Sequence, residues 1–169
     1  MYIKKIRLLI PAGTVLKPDT ENTLEYDDAT VYRQIVGSTI YLANCTRSDI
    51  SYTVGQLARF MATPAESHYW LSKQLLRYLN GSRTTGITYP GRQIQLPLYK
   101  LTLTSLPTSY SIFTDATWGI EYDLISFQGI AVIRYRGAVI WIAQRQKSIA
   151  LSSMEAEIMA ASEGARTAV

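Results

Sequence analysis

Cysteine is almost absent from this sequence. Cys45 stands alone, and a single thiol excludes an internal disulfide framework. Histidine is equally scarce: His68 is the only one. No Cys/His zinc site can be assembled from that pair. A Ser-His-Asp triad would depend on His68 with no Gly-x-Ser-x-Gly elbow to serve it. No run of about 18 apolar residues occurs, which removes a membrane-spanning helix from consideration. After Lys4, Lys5 and Arg7, the apolar stretch Leu8-Leu9-Ile10 meets Pro11, too soon for the core of a secretory signal. The expected compartment is intracellular, cytoplasm or nucleus, with no membrane partner. Charged residues make up only 18% of the chain, below the usual quarter.

What is present is a core-forming composition and an uneven charge. Of 169 residues, 47% are hydrophobic, enough to bury a core in one domain or two small ones. The net charge is +4. Residues 1–28 and 111–169 each carry a net −1, whereas residues 29–110 carry eight basic groups against Asp49 and Glu66. Arg47, Lys73, Arg77 and Arg83 lie in that basic middle. With interleaved aromatics, such a segment suits a polyanion such as nucleic acid. A solvated surface that happens to be arginine-rich is the plainer alternative.

The chain reads as four stretches. Residues 1–28 form an N-terminal extension, loop-like from Pro11 onward. Tyr26-Asp27-Asp28 lacks the spacer of a Tyr-x-Asp-Asp polymerase site, so Asp27, Asp28 or Thr30 is expected to cap a helix. Residues 29–80 hold three helices. Val31, Ile35, Thr39 and Leu42 face inward in the first, and Cys45 is a small buried residue after it. Ser48 or Asp49 caps the second, with Ile50, Val54, Leu57 and Met61 as its stripe. Leu71, Leu75, Tyr78 and Leu79 line the third, which Gly81 ends. His68, Tyr69 and Trp70 are expected to pack as aromatics. Residues 81–109 form a linker with edge strands near 87–89 and 98–103. Residues 110–169 read as strand, strand, strand, helix: 110–115, a hairpin of 127–135 and 138–143, and a helix from Ser152 or Ser153. The fold class is α+β.

The final helix carries Glu155, Glu157 and Glu163. At about 100° per residue, Met154, Ile158, Ala161, Ala165 and Ala168 cluster within about 40° of one direction and are expected to face the sheet. Glu157 then lies about 60° from that direction, at the rim, and Glu163 points to solvent. Asp115, at a strand end, stands where it can meet Glu157, and two carboxylates can hold a hard cation such as Mg²⁺. Three solubilising surface glutamates are the alternative.

Several segments together carry a resemblance. Tyr32-Arg33-Gln34-Ile35-Val36-Gly37-Ser38, Tyr41-Leu42, Thr46-Arg47-Ser48-Asp49-Ile50 and Leu76-Arg77-Tyr78-Leu79-Asn80-Gly81 resemble the region after the polymerase palm in copia-type LTR retrotransposon Pol proteins. Phe113-Thr114-Asp115-Ala116-Thr117-Trp118, Gln146-Lys147-Ser148 and Ala150-Leu151-Ser152-Ser153-Met154-Glu155-Ala156-Glu157 resemble the start of that family's RNase H domain. The resemblance implies a reverse transcriptase thumb or connection region followed by a partial RNase H-like fold of three antiparallel strands and a helix, with the later strands missing. It implies reverse transcription and cleavage of RNA in RNA–DNA hybrids by two Mg²⁺ ions held on four acids. Asp115 matches the first-strand aspartate and Glu157 the helix glutamate, and the other two acids fall beyond Val169. Thr117 stands where a second aspartate is usual, and Ser48 where proline is usual. The expectation is therefore a Pol fragment, catalytically inactive as an isolated chain, with at most one weakly held Mg²⁺. The alternatives are a nucleic-acid-binding module and a repurposed, non-catalytic interaction protein.

Overall fold

A computed structural model describes residue 10 and residues 15–89, 110–119, 123–134 and 137–167. They fall into two compact units, one within residues 1–86 with 119–125, the other within 87–118 with 126–169.

The first unit is helical. Helix α1 spans Tyr26–Cys45, a 3-10 turn spans Ser48–Ile50, α2 spans Ser51–Ala58 and α3 spans Glu66–Gly81. Glu25 precedes α1 without a side-chain cap. Asp27 and Asp28 lie in its first turn, where their charges oppose the positive end of the helix dipole. The inward face of α1 is Ala29, Tyr32, Val36, Thr39 and Ala43, one residue out of phase with the expected stripe. Val31 and Leu42 are exposed. Tyr32 decides the phase. Its ring is the larger apolar surface, and its hydroxyl donates to Leu57 O at 2.7 Å, a carbonyl in the last turn of α2. Arg33 follows suit, with Nε donating to Met61 O at 2.9 Å. The core gathers Tyr32, Val36, Ile50, Val54, Leu57, Phe60, Leu71 and Leu75, so the predicted stripes of α2 and α3 hold. Three local expectations do not. Cys45 is exposed. Gly81 is the last helical residue, ahead of a Ser82 cap. Asp49 caps nothing, because its carboxylate is taken by Arg47.

The N-terminal segment is laced to the start of α3. Leu24 N–H donates to Pro64 O and Glu66 N–H to Asn22 O, around a bridge between Thr23 and Ala65. His68 completes the lacing. It is fully buried, stacks on Phe60 with centroids 4.0 Å apart, accepts Ala65 N–H at Nδ1 and reaches Lys17 O through Nε2 at 3.0 Å.

The second unit is an antiparallel sheet in the order β1-β2-β3, with β1 at Tyr110–Thr117, β2 at Phe127–Arg134 and β3 at Gly137–Arg145. Helix α4 follows at Ser153–Thr167. The register pairs Thr114 with Ile130 and Ile130 with Ile142, and a bulge lies between Val132 and Ile133. Residues 87–89 form no strand. The segment 98–103 lies outside the described residues. Tyr89 instead donates its hydroxyl to Ala138 O at 2.6 Å, and its ring lies against Gly137, where a Cβ would collide with it.

Helix α4 meets the sheet through Ala156, Ala160 and Gly164. This corrects the expected face, since Met154 and Ile158 are exposed, and Glu163 is partly buried rather than solvent-facing. The reason is steric. A sheet surface is broad and shallow, and small residues let the helix axis approach it closely. A Cβ at Gly164 would lie 2.5 Å from Thr114 Cγ2 and 3.3 Å from Ile112 Cγ2. Gly164→Val is therefore expected to push α4 off β1 and cost about 2 kcal/mol through overpacking, read as a lowered midpoint in urea unfolding. An unchanged midpoint would contradict this packing.

Candidate functional site

The four basic residues singled out above divide between two roles. Lys73 and Arg77 are exposed one turn apart on α3, and Arg83 is exposed just past its end. The opposite face of α3 is spent on His68, Leu71, Ser72 and Leu75, so its outer face has no packing duty. Lys73 Nζ sits 3.7 Å from the centroid of the Tyr69 ring, a cation–π contact that holds the ammonium against the helix. Arg83 Nη2 donates to Asn80 Oδ1. Glu66, in the first turn, is the only acid on the helix. The same face carries Trp70, 59% exposed. The expectation that Trp70 packs inward is not met. An α-helical wheel of residues 66–81 already holds the signal, because Trp70 falls about 60° from Lys73 and about 20° from Arg77.

Arg47 belongs to the fold instead. It is 7% exposed and grips Asp49 in a fork, Nε to Oδ1 at 2.9 Å and Nη2 to Oδ2 at 2.8 Å. Its remaining donors reach Ser82 O at 3.0 Å and Ser82 Oγ at 2.8 Å. Tyr78 adds its hydroxyl to Asp49 Oδ2 at 2.7 Å. The paired hydrogen bonds from Arg47 hold the Asp49 carboxyl below its ordinary pKa. The carboxylate in turn raises the Tyr78 phenol and the Arg47 guanidinium. With four of its five N–H donors engaged and the residue buried, this guanidinium is committed to the fold rather than presented to phosphate. The Arg-x-Asp spacing fixes the turn between α1 and α2 to the end of α3.

Asp115 and Glu157 are both exposed. Successive side chains on a strand leave opposite faces. Thr114 and Ile112 lie under Gly164 of α4, so Asp115 belongs to the other face of β1, in the row with Gly129 and Ala143. Glu155 is committed to the start of α4. Leu151 N–H donates to its Oε2 at 2.7 Å, while its own N–H donates to Ser152 Oγ at 3.1 Å, a capping arrangement. Gln146 and Trp118 secure the same end, with Gln146 Nε2 donating to Ala156 O at 2.7 Å and Trp118 Nε1 to Ala150 O at 2.9 Å. Among the described residues no group of three His, Cys, Asp or Glu side chains could hold a metal ion. Two Mg²⁺ ions need more oxygen ligands than two carboxylates supply, so this donor set does not fit them. Among the described residues no helix is long and apolar enough to cross a membrane.

No family profile and no solved structure matches the chain. Curated proteins do. It is 36% identical over 153 residues to the retrovirus-related Pol polyprotein from transposon RE1 of Arabidopsis thaliana, covering 87% of this chain and 9% of that protein. It is 35% identical over 151 residues to the putative transposon Ty5-1 protein of Saccharomyces cerevisiae, covering 87% of this chain and 44% of that one. It is 31% identical over 140 residues to secreted RxLR effector protein 161 of Plasmopara viticola, covering 82% of this chain and 89% of that protein. The chain thus spans under a tenth of the length of the RE1 polyprotein.

Proposed function

This chain belongs to the retrovirus-related Pol proteins of copia-type transposons, and from that membership we propose that it binds nucleic acid through phosphate and does not cleave RNA–DNA hybrids by itself. In this reading the helical unit corresponds to the end of the reverse transcriptase region. The sheet with α4 corresponds to the opening part of an RNase H domain. The order of three antiparallel strands and then a helix supports the second correspondence. The observation that carries the binding role is the outer face of α3, where Lys73 and Arg77, with Arg83 beyond, present cations with little opposing acid. Phosphate contacts of this kind are sequence-independent and release counterions, so affinity falls with salt roughly in proportion to the number of contacts.

The test uses the whole chain and a labelled RNA–DNA hybrid over a salt series. Binding is expected to weaken steeply with salt. The double variant Arg77→Glu with Arg83→Glu should reduce the slope of log K against log salt by about two, with unchanged helix content. Salt-insensitive binding contradicts the reading. The same preparation in Mg²⁺ or Mn²⁺ should yield no cleavage product, because Asp115 and Glu157 are the two acids at hand. Cleavage that disappears in both Asp115→Asn and Glu157→Gln overturns that half of the proposal.

A second reading is favoured by the effector protein of which this chain covers 89%: a free-standing, non-catalytic interaction protein on the same scaffold. A chain that binds no strand at low salt would point to it.

A further inference from the structure

Phosphate recognition does not account for the indole on α3. Trp70 is 59% exposed, on a helix whose other face already supplies core residues. Its neighbours on the outer face are Lys73 and Arg77, three and seven residues along, so the three side chains form one strip about 10 Å long. Lys73 is held against the helix rather than free to sweep the surface, since its ammonium rests over the Tyr69 ring at 3.7 Å. An exposed indole with two cations beyond it on its C-terminal side and a single acid, Glu66, one turn before it makes a strip of net positive charge, complementary to a polyanion that also offers a flat aromatic face. Duplex nucleic acid offers phosphates but keeps its base faces stacked internally. An unpaired strand offers both, and stacking of a base on an aromatic side chain tolerates any sequence because every base has a π-face.

Building on the phosphate-binding reading above, we propose that this strip takes an unpaired stretch of RNA or DNA, with a base stacked on Trp70 and the phosphates to one side of it held by Lys73 and Arg77.

The experiment compares two probes of equal charge, a 12-nucleotide oligo(dT) and an abasic oligonucleotide of the same length, against the full chain at low salt. The wild-type chain should bind oligo(dT) about tenfold tighter than the abasic strand, the increment of one stacked base. Trp70→Ala should erase that difference while leaving abasic binding unchanged, and Trp70→Phe should keep part of it. Lys73→Glu with Arg77→Glu should weaken both probes alike. Circular dichroism melts confirm that each variant is folded, which is expected because the three side chains lie outside the core. A preference for oligo(dT) that survives Trp70→Ala, or its absence from the wild type, overturns the stacking proposal. The phosphate reading stands in that case if the double charge variant still weakens binding. Failure to bind either probe at low salt overturns both readings and leaves the strip to a protein partner.

Discussion

Replacing Asp49 with alanine is expected to cost the helical unit about 2–3 kcal/mol, below the range for a fully buried ion pair because the carboxylate keeps part of its contact with water. That is a large part of the stability of a typical domain. The side chain of Arg47 is 8% exposed and that of Asp49 30%. Removing the carboxylate therefore leaves a desolvated guanidinium with only Ser82 to answer it. The Tyr78 hydroxyl loses its acceptor in the same stroke. Tyr78→Phe should cost less, about 1 kcal/mol, because it removes one hydrogen bond and leaves the fork intact. Replacing the pair together, Arg47→Met with Asp49→Leu, should recover much of the loss, since no charge is then stranded. The pH dependence has a definite sign. The folded-state pKa of Asp49 lies below its ordinary value because Arg47 hydrogen-bonds the carboxylate. Its contribution is present above about pH 4, the unfolded value, and is lost as the pH falls through the folded one. Urea unfolding followed by helix circular dichroism measures all three variants. An Asp49→Ala chain as stable as the wild type would mean that Arg47 is paid for elsewhere.

This pair also shows where reading the sequence stops. Arg47 counts as one basic residue among eight in the middle of the chain, and charge counting has no term for a neighbour two positions away that neutralises the guanidinium and takes it in a fork. The strands were legible because a hairpin is local: alternation from Phe127 to Ala143 fixes both the elements and their pairing. The three helices were legible as periodic stripes, yet the phase of α1 was off by one residue. Hydropathy favours Val31 and Leu42, whereas Tyr32 buries more surface and finds a carbonyl for its hydroxyl. The face of α4 was missed for the opposite reason. Met154 and Ile158 are the more apolar residues, but Ala156, Ala160 and Gly164 allow the closer approach to the sheet. Glu157 lies at the rim by either choice, because the two faces flank it. What no helical wheel could supply is the strand face of Asp115, which depends on which side of the sheet α4 lies.

Acidification should loosen the N-terminal segment through His68, and replacing that residue should do so at every pH. His68→Ala removes a fully buried ring stacked on Phe60 and two hydrogen bonds, an expected loss of about 3 kcal/mol by analogy with truncation of other buried aromatics. Burial pushes the imidazole pKa below its ordinary value, against smaller opposing contributions from the hydrogen bond to Lys17 O and the charge of Asp19. The unfolded chain titrates near pH 6.5, so between that value and the folded one the unfolded state binds more protons and stability rises with pH. The contribution is complete above about pH 6.5 and is lost as the pH falls through the folded value. Geometry names the casualty. Nδ1 accepts Ala65 N–H at 3.1 Å, and a protonated Nδ1 cannot accept, so the imidazolium forfeits the bond at the start of α3. Ala65 is also the residue that bridges Thr23, which couples the ring to the lacing of residues 22–24. His68→Phe separates packing from titration: it keeps a ring against Phe60 and cannot be protonated. Its stability should lack the decline below about pH 6.5 that the wild type shows. Protection factors for hydrogen exchange at Leu24 and Glu66, whose amides donate to Pro64 O and Asn22 O, should fall with acid in the wild type and not in His68→Phe. Equal acid sensitivity in the two chains would place the titrating group elsewhere and remove His68 from the account.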